Sequence, residues 1–382
     1  MKPPQSSLLK KSAACFLGIA ILISAQAAQA AVKNLKDPPF SAVGDGLVDD
    51  RPALASALSS LTTGDILVVP PGNYRIVLTG STLQVPAGAS ILGQREKSVL
   101  LLENNGSTAY RELLRPAGSN VTIEGLTIQR NANFPIVALP LFGYGNLSNY
   151  TLKNCTINGR CDLYSNYFHC FQIGKDTVTA VTLSELTITK CSYGLFGANT
   201  AIGTLDGILV TNCQFDQNYA TDLEFNLPNG TCKNVTITDC YFSNNQATAS
   251  SAGWAVGLAR IDTATVMDCY IRNYNRAGIH VESRSHDVVL SGNILKGTAT
   301  VGDNPIIILN GSYDVSIDRN VIDTRDNPTT AFCVLVTAGG ATATLPTNVS
   351  VTNNLVVKSA TTRDWYLQPG FGPAPTGNIV TP

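Results

Sequence analysis

The strongest constraint on the fold is a short segment that recurs along the chain. Residues 121–128 and 181–188 are nearly identical, and residues 235–242 follow the same plan. Each copy has an apolar residue, a gap of one, a second apolar residue, two polar or small residues, then Cys, Asn or Leu, a gap, and a last apolar residue. Further copies begin at Tyr150, Ile208, Ala264, Val288, Val315 and Val349. Self-similarity at a regular period is the signature of a repeat architecture.

The spacing and alternation of these copies predict one coil of a solenoid per repeat. Aligned on the sixth position, successive copies are 24 to 34 residues apart. Alternation of apolar residues predicts strands, and the two-residue interruption predicts a tight bend between two strands that both face inward. Several units carry a second β run, at residues 223–225, 279–281 and 306–308. Short strands at this period without intervening helices predict an all-β parallel β-helix of about nine or more coils.

The repeat also explains most of the cysteine pattern. Four cysteines occupy the inward sixth position: Cys155, Cys213, Cys240 and Cys269. Because a free cysteine packs as a small buried hydrophobe, we expect these four to form a ladder in the core. Cys161 and Cys170 bracket a loop, so they either form a disulfide or remain free. No CxxC pair indicates zinc or redox chemistry.

The first thirty residues have the layout of a secretory signal peptide. Lys2, Lys10 and Lys11 precede an apolar run at residues 13–25, and Ala28–Gln29–Ala30 supplies a small-x-small cleavage pattern. The run is short for a membrane span, although a retained N-terminal anchor is the alternative. We therefore expect cleavage after Ala30 and a secreted or periplasmic protein with no membrane span.

Composition limits the possible partners. The chain has 382 residues with only 14% charged residues, 26 basic and 27 acidic. A nucleic-acid-binding protein usually carries a basic excess or stripe, so no nucleic-acid partner is expected. No feature of the sequence specifies an oligomeric state.

A cap is needed where the first coil would otherwise expose apolar core and unpaired strand edges. Asp49 and Asp50 precede residues 51–61, which predict an amphipathic helix with Pro52 in its first turn. Residues 40–50, this helix and residues 66–75 resemble the N-terminal signature of the pectate-lyase superfamily, and most resemble its rhamnogalacturonase/epimerase-like branch. The resemblance implies that Asp45, Asp49 and Asp50 are turn and helix-cap residues.

This resemblance implies a single-stranded right-handed parallel β-helix with an N-terminal capping helix, acting on a polysaccharide. The expected organisation is a signal peptide at 1–30, the β-helix at 31–359 with the cap motif at 40–76, and a C-terminal tail at 360–382. The motifs of polygalacturonases, the Asp-Pro-His-Asp of mannuronan epimerases and the Arg-x-Pro-x-x-Arg of pectate lyases are absent. The resemblance therefore leaves the reaction open.

Aligning residues 213–226 with 269–282 without gaps places the candidate catalytic residues. Asp222 and Glu224 then point outward on one coil, together with Asn226 as a candidate for binding substrate, and His280 and Glu282 point outward on the other. The intervening coil presents small outward residues: Ala255, Gly257 and Ala259. Two coil steps separate the polar walls by about 10 Å, near the roughly 6.5–9.5 Å that inverting glycosidases keep between their carboxyl groups.

Other residues are candidates for holding substrate. Arg260, Arg276 and Arg284 are close in sequence and suit a substrate carboxylate, which favours an acidic or decorated glycan. Tyr164 and Tyr167, in an insertion that also contains His169, are candidates for stacking on sugars, or they decorate the surface. Outward acidic residues that merely solvate the sheet are the structural alternative.

Three functions remain open. The first is a glycoside hydrolase with Asp222 and Glu224 as acid/base candidates opposite His280 and Glu282. The second is a lyase or C5-epimerase in which Arg260 or Arg284 neutralises a uronate carboxylate and His280 is the base. Asp222 and Glu224 would then hold calcium, the one cofactor that the sequence suggests. The third is a non-catalytic glycan-binding β-helix.

Overall fold

The computed structural model describes residues 30–106, 109–131, 134–141, 145–174, 176–197, 203–248, 253–299, 303–325, 332–340, 343–358 and 362–381. These residues form a parallel β-helix with three long sheets of 12, 13 and 10 strands. Each strand pairs in parallel with the equivalent strand of the coils before and after it, so the predicted fold class and coil number are confirmed. Of the predicted signal peptide at 1–30, residues 1–29 lie outside the described residues.

The bounds of the strands follow the coil order within each sheet. The first sheet contains Val32–Asn34, Ile66–Val68, Ser90–Leu92, Val121–Glu124, Leu147–Lys153, Thr177–Ser184, Thr204–Thr211, Thr231–Thr238, Ile261–Met267, His286–Ser291, Tyr313–Asp318 and Thr347–Thr352. The second contains Asp45–Asp49, Gly72–Leu78, Ser98–Asn104, Thr127–Arg130, Thr156–Asn158, Thr187–Thr189, Gln214–Asp216, Tyr241–Ser243, Tyr270–Arg272, Ile294–Lys296, Val321–Asp323, Leu355–Val357 and Ile379–Thr381. The third contains Arg111–Glu112, Ile136–Leu141, Phe168–Ile173, Tyr193–Gly197, Leu223–Asn226, Val256–Ala259, Ile279–Glu282, Ile306–Leu309, Phe332–Thr337 and Arg363–Leu367. A separate pair joins Leu83–Val85 to Leu114–Pro116.

The bend between the first and second sheets lies at the fifth and sixth positions of the repeat, one residue later than the interruption that the sequence predicts. The fifth residue has positive φ, as in Gly125 (73°), Asn212 (52°) and Asp268 (52°). The sixth residue points inward, and in all nine aligned copies it is at most 2% exposed. Gly, Asn and Asp tolerate the left-handed conformation best, which explains their frequency at the fifth position.

The inward position at this bend changes chemistry halfway along the molecule. Cys155, Cys213, Cys240 and Cys269 are buried and free, as the repeat predicts. After Cys269 this position is occupied by asparagines whose side chains are hydrogen-bonded from coil to coil. We call this row the asparagine ladder, and its members are Asn293, Asn320, Asn354 and Asn378. The side-chain amide of each of the first three donates to the side-chain oxygen of the next at 3.0 Å.

Cys161 and Cys170, for which the sequence left a disulfide open, are both free thiols. The side chain of Cys161 contacts Nη2 of Arg130 at 3.2 Å and the hydroxyl oxygen of Ser192 at 3.8 Å. Cys170 is fully buried and lies among other core cysteines, so each thiol has its own packing environment.

The N-terminal helix Arg51–Ser59 lies between strands of the second and first sheets, where later coils have a strand of the third sheet. Leu54, Ala57 and Leu58 bury its apolar face, and it contacts the strands Gly72–Leu78 and Leu83–Val85. The helix therefore covers the core at the first coil.

The acidic residues near this helix have structural partners. Asp50 accepts hydrogen bonds from the backbone of Val43 and Gly44, and Asp45 accepts from Leu47 and Val48. Asp49 accepts from the backbone nitrogens of Arg51 and Val77 at 3.1 Å each. Asp45 and Asp50 thus hold turns, as the resemblance implies, while Asp49 binds the first residue of the helix and the strand Gly72–Leu78.

The segment at 360–382, which the sequence analysis separates from the β-helix as a tail, continues the coils where it is described. Arg363–Leu367 pairs with Phe332–Thr337 in the third sheet, and Ile379–Thr381 pairs with Leu355–Val357 in the second. Asn378 also completes the asparagine ladder. Its apolar positions are too sparse to show this alternation in the sequence. None of the described helices has the length and hydrophobicity of a membrane span.

Candidate functional site

The candidate site lies on the outward face of the third sheet. Backbone pairing places Glu224 beside Gly257 and Gly257 beside His280, so these three residues form one row across three coils. Asn226 and Glu282 flank Ala259 in the next outward row. The gapless alignment of the sequence therefore predicts this register correctly, because the inward partners Leu223 and Ile279 both pair with Val256.

Glu224 lies over the small middle coil. A Cβ built on Gly257 would stand 2.9 Å from Oε2 of Glu224, so the glycine leaves the space that this carboxylate occupies. Glu224 is 8% exposed, and its Oε2 makes no hydrogen bond within the described structure. Burial raises the pKa of Glu224 to about 7, and the negative charge of Glu282 acts in the same direction. A carboxyl group with this pKa is about half protonated at pH 7, whereas an ordinary glutamate is ionised, so it can donate a proton.

His280 faces Glu224 across Gly257 and is 7% exposed. Neither ring nitrogen of His280 makes a hydrogen bond in the described part of the chain, and Nε2 lies 3.8 Å from Oε2 of Glu282. Burial lowers the pKa of His280 to about 4, and the positive charge of Arg276 adds to this effect. The imidazole is therefore neutral at ordinary pH and can accept a proton.

Trp254 and Glu282 complete the site. The indole ring packs edge-on against His280 with ring centroids 4.1 Å apart, and the indole Nε1 is buried without a partner among the described residues. Glu282 retains 30% side-chain exposure, and partial burial raises its pKa. Sequence analysis did not include Trp254 because it precedes its strand, where the alternation that assigns outward positions has not begun.

Asp222 does not face the site, contrary to the sequence prediction. Its side chain is 1% exposed and accepts hydrogen bonds from Asn218 Nδ2 at 2.6 Å and from the hydroxyl group of Tyr274. Burial raises the pKa of Asp222 to about 7, although these two hydrogen bonds oppose the shift. Asp222 lies just before the strand Leu223–Asn226, so the alternation that points Glu224 outward does not hold for it. Asp222 and Glu224 therefore do not form the expected calcium-binding pair.

The three arginines are not gathered around the carboxylates, which corrects the expected carboxylate clamp. Arg260 and Arg284 line a cavity of about 590 Å³ at the bend between the third and first sheets, and Arg260 donates to the carbonyl of Pro228. Arg276 forms an ion pair with Asp303 at 3.1 Å, within electrostatic reach of His280. Arg260 and Arg284 follow the ends of the strands Val256–Ala259 and Ile279–Glu282, and Arg276 lies in the connection that precedes Ile279–Glu282, so none of the three is on the outward face of a strand.

An aromatic cluster continues the outward face on the N-terminal side of Glu224. Its members are Tyr110, Tyr164, Tyr167, His169, Tyr193 and Phe196. The ring of His169 lies 4.6 Å from Phe196 and 5.3 Å from Tyr193, and Tyr164 lies 5.8 Å from Tyr167, all between centroids. Phe196 pairs with Glu224, so the cluster begins one coil away from it. The two tyrosines that the sequence singles out thus lie at the edge of a larger cluster.

A potential metal-ligand group lies elsewhere. Within the described ranges, Asp262, His286 and Asp287 place ligand atoms within 4.8 Å of one another. The group is on the first sheet, and the ring of His286 stacks on Tyr313 at 4.6 Å. Such partly exposed acidic groups are common at surfaces, and this one has no counterpart beside Glu224.

Comparisons with known proteins agree with this architecture. The family model of the right handed beta helix region matches residues 117–295 and 173–368. No curated protein matches the chain. Among solved structures, the A-module of the Azotobacter vinelandii mannuronan C-5 epimerase AlgE4 has 15% identity and a TM-score of 0.58, with 91% of this chain and 95% of that chain covered.

Two further solved structures show the same fold with different functions. DFA-IIIase from Arthrobacter chlorophenolicus has 13% identity and a TM-score of 0.58, covering 91% of this chain and 94% of that one. The tailspike protein of E. coli bacteriophage HK620, in complex with a pentasaccharide, has 13% identity and a TM-score of 0.61, covering 92% and 67%. At such identities the likeness concerns the fold. Because the family model matches about two thirds of the chain, the protein belongs to the right-handed β-helix family, as the resemblance of its cap motif to the pectate-lyase superfamily implies.

Proposed function

We propose that the protein is a glycoside hydrolase that cleaves a polysaccharide bound across the outward face of the third sheet. The observation that carries this proposal is the contrast between two glutamates on the same face. The carboxyl group of Glu224 is buried and its pKa is raised to about 7, while Glu282, two coils away, is more exposed. Two carboxyl groups with different environments are the usual acid/base pair of glycosidases.

In this mechanism Glu224 is the general acid. It keeps its proton near neutral pH and donates it to the glycosidic oxygen of the leaving group. Glu282, with the neutral His280 beside it, activates a water molecule on the opposite face of the sugar. Two coil spacings and an offset of two residues along the strand separate the backbones of Glu224 and Glu282 by about 12 Å. Glu224 leans over Gly257, which shortens the separation of the two carboxyl groups toward the inverting range.

A lyase or C5-epimerase is the second candidate because His280 has the properties of a base. It is neutral, buried and without a hydrogen bond in the described structure. This reaction also requires a group that neutralises the substrate carboxylate. The position of Arg260 and Arg284 at a corner cavity disfavours them in that role, so the hydrolase is our first proposal.

The test is a screen of the purified protein, from residue 31 onward, against neutral glycans and polyuronates. Reducing ends and the ultraviolet absorbance of unsaturated products are measured together. We expect reducing ends without absorbance, and a loss of at least about 100-fold in Glu224→Gln. The matched control is Glu185→Gln, which changes an exposed glutamate that pairs with Lys153 at 3.7 Å.

Other outcomes would assign the protein differently. Absorbance that rises with the reducing ends would favour the lyase, with His280 as its base. Glycan binding with neither reducing ends nor absorbance would favour a non-catalytic glycan-binding protein. A change in the uronate composition of a polyuronate under the same conditions would favour an epimerase. Full activity in Glu224→Gln would contradict the proposed acid.

We also propose that the protein is exported to the periplasm or beyond the cell. The proposal rests on the basic start, the apolar run and the Ala28–Gln29–Ala30 pattern of the sequence. N-terminal sequencing of protein recovered from each cell fraction tests it. A mature protein that begins at Ala31 outside the cytoplasm is expected, and an uncleaved N-terminus would contradict cleavage.

A further inference from the structure

A cavity of about 320 Å³ opens on the outward face of the third sheet, on the N-terminal side of Glu224. It is lined by Tyr110, Glu112, Val137, His169, Gln172 and Phe196. Gln172 pairs with Phe196, and Phe196 pairs with Glu224, so the near edge of the cavity lies one coil from the proposed acid and its far edge, at Glu112, lies four coils away. The mechanism above does not use any of these residues.

His169 lines this cavity, and one of its two ring nitrogens is buried without a hydrogen bond among the described residues. Its side chain is 6% exposed, and the hydroxyl group of Tyr110 forms a hydrogen bond of 2.9 Å with Nδ1. Nε2 is buried and makes no hydrogen bond with the described residues. A buried polar atom of this kind is unfavourable unless a ligand or water satisfies it.

Aromatic surfaces flank the polar group. Phe196 lies against His169 at 4.6 Å between ring centroids and against Tyr193 at 4.7 Å. Aromatic faces stack favourably on the apolar C–H faces of sugar rings, while hydroxyl groups at the ring edge bind polar side chains. His169 and Gln172 are placed to bind such hydroxyl groups.

The loop that contributes the cluster is held from inside the β-helix. The fully buried Arg130 donates from Nη1 to the carbonyl oxygens of Phe134 at 2.8 Å and Asn166 at 2.9 Å, and the hydroxyl of Ser192 donates to the carbonyl of Tyr164 at 3.0 Å. These bonds order the aromatic side chains before a ligand arrives, which reduces the entropy lost on binding.

The charges around the cavity indicate the class of sugar. The six strands of the third sheet from Ile136–Leu141 to Ile279–Glu282 contain no lysine or arginine. Glu112 is the charged residue that lines the cavity, and Arg115 pairs with its carboxylate. A uronate carboxylate would therefore meet no lysine or arginine on these six strands, and it would face the carboxylate of Glu112.

We propose that this cavity is a subsite for an uncharged sugar residue, so that a neutral glycan runs across the coils from the aromatic cluster to Glu224. This inference rests on the proposed hydrolase for the position of the cleaved bond. A neutral glycan is thus proposed in place of the acidic or decorated glycan that the three arginines suggest in the sequence.

The experiment measures binding by titration calorimetry with the Glu224→Gln protein, which binds without cleaving. The probes are neutral hexasaccharides of glucose, mannose, galactose and xylose, with oligogalacturonate and oligoguluronate as acidic counterparts. We expect the tightest binder to be neutral. Phe196→Leu, which keeps an apolar side chain but removes the aromatic face, and His169→Ala are each expected to weaken its binding by about threefold to tenfold.

Tyr241→Leu is the matched control, because Tyr241 stacks on Tyr270 on the second sheet, away from the cavity. Thermal unfolding verifies that each variant is folded. The proposal is overturned if an acidic probe binds most tightly, if no neutral probe binds, or if Phe196→Leu and His169→Ala both leave the affinity unchanged.

Failure of this inference can be separated from failure of the proposed function. If a neutral oligosaccharide binds in a way that depends on Phe196 but the wild-type protein does not cleave it, the subsite is supported and the hydrolase is rejected. Cleavage of a polyuronate that depends on Glu224 and is unaffected by Phe196→Leu would keep the hydrolase and reject the subsite.

Discussion

The asparagine ladder and the candidate site both bury polar side chains, but only the ladder satisfies them. Asn320 is fully buried, and its amide donates to the side chain of Asn354 and to the carbonyl of Leu290. Its side-chain oxygen accepts from Asn293. Glu224 and His280 are nearly as buried, yet Oε2 of one and both ring nitrogens of the other lack hydrogen bonds among the described residues.

This difference separates a structural role from a functional one. A satisfied buried polar group stabilises the fold, and its removal leaves its partners unpaired. A buried polar group without a hydrogen-bond partner lowers stability, and it is retained in sites where a ligand supplies the missing hydrogen bond. Substitutions in the two regions should therefore have opposite effects on stability and activity.

The largest expected effect is the loss of activity in His280→Leu. The substitution removes the neutral imidazole that lies beside Glu282 where water is activated, so we expect the rate to fall by about 10²–10⁴-fold. Stability should be unchanged or higher, because two buried nitrogens without partners are replaced by an apolar side chain that still packs on Trp254. Steady-state kinetics and urea unfolding measure the two quantities. A destabilised variant that keeps its specific activity would give His280 a structural role.

The next effect is on stability, in Asn320→Leu. This change removes the acceptor of both the backbone N–H and the side-chain amide of Asn293, whereas the side-chain oxygen of Asn354 keeps the backbone N–H of residue 320. We expect a loss of roughly 2–4 kcal/mol in the free energy of unfolding, measured by urea denaturation, with the specific activity of the folded protein retained.

Cys240→Ala is the matched control in the cysteine half of the same bend. Only a small apolar side chain with weak hydrogen bonds is lost there, so a smaller effect of about 1 kcal/mol is expected. Equal destabilisation by the two substitutions would show that packing, and not the amide hydrogen bonds, dominates at this bend.

The third prediction concerns pH. Glu224 must be protonated to act as the acid, and its pKa is about 7, so kcat/KM should fall up to tenfold per pH unit above about 7. Because this pKa is raised on folding, its contribution to stability is present below the unfolded pKa and is lost as the pH rises through about 7. Glu224→Gln should therefore lose less stability than the wild type between about pH 5 and pH 8. An unchanged slope in this variant would contradict the raised pKa.

The sequence predicts the row of Glu224, Gly257 and His280 because strict alternation and the stacking of coils determine which residues share a face. It cannot predict the inward turn of Asp222, which lies before its strand. The position of Phe196 beside Glu224 is also hidden, because the connection from the second to the third sheet differs in length between their coils, so that the alignment requires a gap. Whether a buried polar group has a hydrogen-bond partner depends on side-chain contacts, which cannot be read from the spacing of residues in the sequence. Those contacts distinguish the asparagine ladder from the candidate site.

The smallest effect, and the most specific one, is expected for Gly257→Ala. The backbone of Gly257 does not have the positive φ that disfavours alanine, but the added Cβ would lie 2.9 Å from Oε2 of Glu224 and 3.3 Å from the indole of Trp254. The carboxyl group must therefore shift, and since a small misplacement of a catalytic group slows the reaction, we expect about a tenfold lower kcat with little change in unfolding temperature. Gly80→Ala is the control, because a Cβ there meets no atom within 4 Å. If Gly257→Ala lowers stability and leaves kcat intact, the glycine serves coil packing, and the space above it is not reserved for the carboxyl group of Glu224.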